Sequence, residues 1–241
     1  MLSIFRRNNF VNNLEWLGID VHSHLLPIIN DDSLKMSTSI DYIKQLNNFG
    51  IQKIYLTPLV LSTRAPDSIS AVLPAIEKLK QALQRENVEV LLSGGAKYLV
   101  DSVFRVTNSM FTIYENHVYI QLPLDTEPSN LNDVVFNLQI QGYNVILAHP
   151  ERYRYYHKNY SKLQRFKERG VLFQLNLLSM TGYYGKSEQV LANYILSKGY
   201  YDLACSDLQN EKELQSLIAN INNGFLYNKV GKYPFKNKYL F

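Results

Sequence analysis

Gly18-Ile19-Asp20-Val21-His22-Ser23-His24 is an apolar run that ends in two histidines one residue apart. Residues i and i+2 of a strand share a face. His22 and His24 therefore point the same way, at the end of a strand that leads into a loop. Two imidazoles converging there can grip a transition metal. Two ordinary histidines beside a turn are the alternative, and what the other strand ends carry decides between them.

Six further short apolar runs follow, at 52–57, 88–93, 117–122, 143–148, 171–176 and 201–206, which with 18–22 makes seven. Most are apolar throughout, the pattern of parallel strands buried on both faces. Amphipathic stretches lie between them. Ile40, Ile43, Leu46 and Phe49 recur at three-residue steps before Gly50, and Val72, Leu73, Ile76, Leu79 and Leu83 keep helical spacing within 69–84. Segments 131–140 and 190–196 read likewise, and Gly142, Gly170 and Gly199 each stop a helix before the next strand. Seven strand–helix units without a Pro/Ser-rich linker predict one α/β domain, a TIM-like (β/α)7 barrel over residues 14–223. Residues 1–13 read as an N-terminal arm. Residues 224–241 are basic and aromatic, fit no further unit, and read as a C-terminal arm or an interface segment.

Composition narrows the function classes. Within 241 residues, 25 Lys+Arg against 21 Asp+Glu leave a net +4 spread along the chain, which argues against a nucleic-acid partner. The single Cys205 excludes an intrachain disulfide and a thiolate metal cluster, and suits a reducing compartment. No apolar run approaches the ~20 residues that span a bilayer, and the first ten residues lack a signal-peptide core. A cytoplasmic location is expected.

In a barrel of this kind the chemistry lies at the C-terminal ends of the strands. Those ends carry His22 and His24, then Thr57-Pro58-Leu59, Gly94-Gly95-Ala96-Lys97-Tyr98, His149-Pro150-Glu151-Arg152-Tyr153, Asn176, and Ser206-Asp207-Leu208-Gln209. Each has a bland explanation: a buried His can bond a backbone carbonyl, and Asp207 can cap a helix. Three histidines and an aspartate meeting at one barrel mouth are harder to explain away. His22, His24, His149 and Asp207 together suit one Zn²⁺ or Mn²⁺ with room for a water. Asp20 would orient a ligand imidazole from behind.

The stretches DVHSHLLP at 20–27, NLNDVVFNLQIQGY at 130–143, LAHPERYRYYH at 147–157 and LNLLSMTGYYGK at 175–186 carry a resemblance. The chain is similar to the PHP-family (polymerase and histidinol phosphatase) protein-tyrosine phosphatases of bacterial capsule and exopolysaccharide clusters, over residues 14 to 215. The DxHxH opening is shared with many metal hydrolases; the HPERY and LNLLSxTGYYG stretches together are specific. The resemblance implies a PHP-type distorted barrel whose mouth holds a cluster of divalent metals. Such metals polarise a phosphoryl oxygen and supply a hydroxide. The family's ligand positions fall on His22, His24, Leu59, Lys97, His149, Asp207 and Gln209.

Three of those positions depart from the family. Leu59 and Gln209 stand where the family has His, and Lys97 stands where it has a metal-bridging Glu. The family's Gly-Ile-Asp-Asp-Gly loop corresponds to Ile28-Ile29-Asn30-Asp31-Asp32, with one acid an amide and both glycines gone. Lys97 is the decisive change. A bridging carboxylate neutralises two cations, whereas an ammonium at 4 Å repels a unit charge by about 4 kcal/mol at an effective dielectric of 20, and a divalent ion by roughly twice that. Lys97 either snorkels out of the mouth, occupies the place of a metal and pairs with Asp207, or is carbamylated and bridges again.

Arg152 matches the family's phosphate-contacting Arg, a role its planar fork suits; its alternative is an ion pair with Glu151. Arg64 is a second, weaker phosphate candidate. Asn176 lines the mouth or satisfies backbone groups, and Tyr153, Tyr155, Tyr156, Tyr183 and Tyr184 read as packing. Two functions follow. The first is an inactive or very slow relative of these phosphatases that binds a phosphotyrosine segment of a bacterial tyrosine kinase, or a phosphorylated small molecule. The second is an active phosphoesterase using one metal. Either holds at most one divalent ion, and the basic tail leaves room for a homo-oligomer.

Overall fold

A computed structural model describes residues 10–27, 34–61, 65–107 and 109–240, with the backbone alone for 65–68. Strand β1 is Ile19–Ser23, followed by helix α1 (Met36–Asn48) and the strands β2 (Lys53–Leu56) and β3 (Leu59–Val60). Helix α2 (Ala65–Arg85) leads to β4 (Leu91–Gly94), β5 (Lys97–Leu99) and β6 (His117–Gln121). Then come α3 (Leu131–Ile140), β7 (Asn144–Ala148), two 3₁₀ turns at Pro150–Arg152 and Arg154–Tyr156, α4 (Ser161–Glu168) and β8 (Leu172–Asn176). Helices α5 (Leu177–Thr181) and α6 (Lys186–Ser197) precede β9 (Tyr201–Cys205), and α7 (Glu211–Asn222), α8 (Phe225–Val230) and α9 (Asn237–Leu240) complete the described chain.

The strands make two sheets, β1-β2-β4 and β3-β5-β6-β7-β8-β9, and every pairing is parallel. Nine strands therefore stand, among the described residues, where the apolar runs predict seven. The two extra are β3, which follows Pro58, and β5, which follows Gly95-Ala96. Strands of two or three residues are too short to show a period. The run at 88–93 becomes a strand only from Leu91. The helix stops hold: Gly142, Gly170 and Gly199 sit at φ of +85°, +79° and +67°, where other residues are strained.

Two apolar groups hold the molecule together. The larger one lies between the strands and the surrounding helices and includes Leu46, Ile54, Leu79, Val118, Leu138, Leu147, Phe173 and Leu214. The smaller one gathers Val21, Tyr55, Tyr119, Ile146, Ala148, Leu203 and Cys205 from β1, β2, β6, β7 and β9, strands of both sheets. Cα register explains which side chains enter it. Leu59, Lys97, Tyr119, Ile146 and Leu172 are successive partners across β3, β5, β6, β7 and β8. Partners in a parallel pair present their side chains to the same face. Lys97 thus shares an inward row with Tyr119 and Ile146, and it is 1% exposed.

β1 and β9, from different sheets, meet along a seam. The Asp207 N–H donates to the His22 carbonyl at 3.1 Å and the His24 N–H to the Leu208 carbonyl at 3.0 Å. The Asp20 carboxylate accepts from the Ser206 N–H at 3.0 Å and from the Ser206 hydroxyl. Buried Asn237 of α9 completes the seam. Its amide donates to the Ile19 carbonyl at 2.8 Å and the Ala204 carbonyl at 2.7 Å, and accepts from the Ala204 N–H at 3.1 Å. The basic aromatic tail packs on the same strands: the Tyr233 hydroxyl donates to the Tyr201 carbonyl at 2.9 Å and Lys236 pairs with Asp202 at 2.8 Å.

Candidate metal and phosphate site

The histidines reach their positions through a break in β1. Its register against β2 shifts between Asp20 and Ser23. A bulge lets consecutive side chains share a face, so Val21 enters the inner apolar group while His22, next to it, lies over Tyr119 at 5.2 Å between ring centroids. His24 follows beyond the strand end, its ring 5.2 Å from that of His22 and nearly perpendicular to it. His149 and Asp207 sit just past β7 and β9. Both are held in the left-handed region, at φ of 34° and 51°. Such a conformation costs a non-glycine residue ~1–2 kcal/mol and is concentrated at working sites.

Lys97 stands at the centre of the group. Its Nζ lies 2.9 Å from His22 Nε2, 2.9 Å from His24 Nε2 and 3.8 Å from Asp207 Oδ1. The His22 Nδ1 faces the Thr57 hydroxyl. With the ring proton placed there, the Nε2 lone pair accepts from the ammonium. Asp207 Oδ1 lies 2.8 Å from His22 Nε2 and 3.4 Å from His24 Nε2, against the same ring nitrogens that face Lys97. Burial first, and the Lys97 charge second, push His22 down to about 3 and lower His24 as well, so both imidazoles are neutral at pH 7. Burial alone would raise the Asp207 carboxyl, but Lys97 and the imidazoles outweigh it and hold it well below its ordinary value. Burial also lowers the Lys97 amine, against the pull of Asp207.

The remaining predicted residues take separate places. His149 Nε2 is 3.8 Å from Asp207 Oδ2, and its buried Nδ1 has no partner. Arg152 reaches Asp207 Oδ2 at 3.5 Å and lies over the Tyr184 ring at 3.9 Å. Glu151, the alternative partner for Arg152, instead accepts from the Asn176 N–H and the Tyr201 hydroxyl, each at 3.0 Å. Asn176 donates to Asp207 Oδ2 at 3.0 Å and to the Tyr184 hydroxyl at 3.1 Å. Asp20 meets Ser206 and the His22 backbone N–H; the side chain on the His22 ring is Thr57. Leu59 is the register partner of Lys97. Gln209 is exposed and uses its N–H on Glu213 at 2.9 Å. Arg64 and the loop at 28–32 lie outside the described residues. Tyr184, expected only to pack, lies under the Arg152 guanidinium, while Thr57 and Ser206 stand at the strand ends with no signal in the sequence beyond that position.

His22, His24 and Asp207 each offer one donor atom, and the three atoms lie within 4.8 Å of one another. That donor set fits one ion, but the Lys97 ammonium stands against two of its three members. Cysteine chemistry does not fit: Cys205 is fully buried, and burial pushes its thiol well above the ordinary range.

Comparison with known proteins agrees in fold and lineage. YwqE of Bacillus subtilis (strain 168), a tyrosine-protein phosphatase, is 25% identical over 80% of this chain and 78% of its own length. CapC of Staphylococcus aureus, which carries a provisional tyrosine-protein phosphatase name, is 25% identical over 91% of this chain and 92% of its own. A chain from the crystal structures of YwqE from Bacillus subtilis and CpsB from Streptococcus pneumoniae, described as unique metal-dependent tyrosine phosphatases, superposes with a TM-score of 0.74 at 22% identity. That match covers 92% of this chain and 96% of the other. The family model for capsular polysaccharide synthesis, CpsB/CapC, matches residues 18–236, and the chain belongs to that family.

Proposed function

We propose that this chain is a capsule-biosynthesis relative of the metal-dependent tyrosine phosphatases that binds a phosphorylated ligand and hydrolyses it very slowly or not at all. The observation that carries this is the Lys97 amine, 2.9 Å from both His22 Nε2 and His24 Nε2. It is a cation lodged among the donors that a metal would need. We read the two sheets, joined along the β1–β9 seam around a shared inner apolar group, as one distorted barrel with Lys97 at its mouth.

The chemistry left to the residues is recognition. Lys97 and Arg152 bring two positive charges to the single carboxylate of Asp207. Those two cations attract a phosphate, and Arg152 supplies a planar fork that matches two of its oxygens. Tyr184 beneath the guanidinium and Asp207 beside it fix its plane. The ligand in this reading is a phosphotyrosine segment of a bacterial tyrosine kinase or a phosphorylated small molecule, met in the cytoplasm. No helix among the described residues is long and apolar enough to cross a membrane. A second reading, a phosphoesterase with one Zn²⁺ or Mn²⁺, draws on the neutral imidazoles and the close His22–His24–Asp207 donors. It requires Lys97 to leave its place.

Elemental analysis of the purified chain, before and after loading with Mn²⁺ or Zn²⁺, beside an aryl-phosphate assay, tests the proposal. At most one metal per chain is expected, with turnover far below that of a relative carrying every ligand. Two or three tightly held metals, or brisk turnover abolished by a chelator, would defeat it.

A further inference from the structure

Away from Lys97, helices α3 and α4 and the loop entering α3 border an open cavity of about 230 Å³. Lys162 and Arg165 line it from α4, Arg169 from the residue just past that helix, and Ser129, Asn132 and Glu127 from the opposite wall. Arg165 and Arg169 are i and i+4, so they share a helix face. Neither guanidinium forms an ion pair among the described residues. Glu127 is committed elsewhere: one oxygen pairs with Lys162 and the other accepts from the Tyr156 hydroxyl at 2.9 Å. Arg169 is steered by a neutral acceptor, the Asn132 amide oxygen at 2.7 Å, which fixes its guanidinium and leaves donors over. The Arg165 guanidinium has no hydrogen-bond or ion-pair partner among the described residues.

The N-terminus of α3 reaches the same cavity through Leu131 and Asn132, and no side chain caps it. The Leu131 N–H is taken by the Pro128 carbonyl at 3.2 Å, and the helix dipole there adds to the pull on an anion. Size selects among anions: cavities for drug-sized ligands run to roughly 300–1,000 Å³, so this one suits a phosphate group rather than a nucleotide. The neighbouring hollow on the other side of Arg169 carries Asp133, an acid that repels such a ligand.

We propose that this cavity is a second phosphate-binding site, separate from the barrel mouth. Two guanidinium forks and the helix terminus hold the phosphate. The site does not depend on the reading of Lys97. It recognises the phosphate group itself, whether free or carried as a monoester.

Calorimetric titration of the full chain at low salt with inorganic phosphate tests this, followed by glucose 1-phosphate and phosphotyrosine to separate the sources. R165Q/R169Q is expected to lose one phosphate per chain, or to bind it at least about tenfold more weakly, the size of one lost charge-assisted bond. K97M should retain that phosphate. Both arginines are exposed, so the double variant should melt as the parent does. Amide shifts on titrating the parent should centre on residues 129–132 and 162–169. A monoester that binds more tightly than phosphate, and is lost in the same variant, names the source. Unchanged binding in R165Q/R169Q, no phosphate bound by the parent, or shifts confined to the barrel mouth would overturn the assignment.

Discussion

Lys97 is held by geometry that a metal would otherwise exploit. Two neutral imidazoles turn lone pairs toward one point, and an ammonium fills it. Replacing Lys97 with Met removes the charge and frees both lone pairs. Co²⁺ affinity, followed by its visible absorption, should then rise at least about tenfold, since repulsion of a divalent ion by a nearby ammonium amounts to several kcal/mol. Affinity equal to that of the parent would mean that something other than Lys97 excludes the ion. Glu151 offers a second test. Burial raises its carboxyl to about 7, past the pull of its donors. A group raised above its unfolded value favours the fold fully below that unfolded value, and the benefit fades as pH climbs through the folded one. The stability of the parent relative to E151Q should therefore fall between pH 4.5 and about 7, by no more than roughly 3 kcal/mol. Urea titrations at pH 5 and pH 8 would show it, and a constant difference would contradict the assignment.

At the scale of elements, strands were more legible than their irregularities. β6 to β9 begin or end within a residue or so of the apolar runs, because strands buried on both faces are continuous in sequence. β3 and β5 were not legible, although β5 carries the residue that matters most. The bulge in β1 left no mark either, so alternation accounts for His22 and His24 together but not for Val21 facing inward beside them. Helix α4 has only Leu163 and Phe166 as buried apolar positions, too few to fix a period. Helix α7 did carry a signal. Leu214, Leu217 and Ile221 follow Asn210, whose side chain caps the Glu213 N–H at 3.1 Å. Ser206 and Thr57 are small polar residues whose roles exist only once distant strands meet. Asn237 is the clearest such case. N237A leaves the Ile19 carbonyl and both backbone groups of Ala204 without their partner, and should cost about 3 kcal/mol. A chemical melt with no shift in midpoint would show that the seam does not need it.

For the whole molecule, the seam and the register together determine what repair would require. Leu59 and Lys97 are partners in adjacent strands, so L59H and K97E would place two ligands side by side on the inward row. Gln209 is exposed, and Q209H must turn in from outside. The triple variant should bind additional metal and gain aryl-phosphate turnover. Any one change alone should do little, because ligands of one cluster act as a unit. Elemental analysis showing no extra metal in the triple variant would mean that the family's ligand positions do not map onto these residues. Family membership was readable from HPERY and LNLLSMTGYYG, but the altered charge at position 97 reads as a loss only once its neighbours are seen. The Asn237 bridge also has a bearing on biosynthesis. The groups it joins, the Ile19 carbonyl and α9, are 218 positions apart in the chain. As the polypeptide is synthesised, β1 therefore stays without this partner until the residues beyond position 236 have followed it.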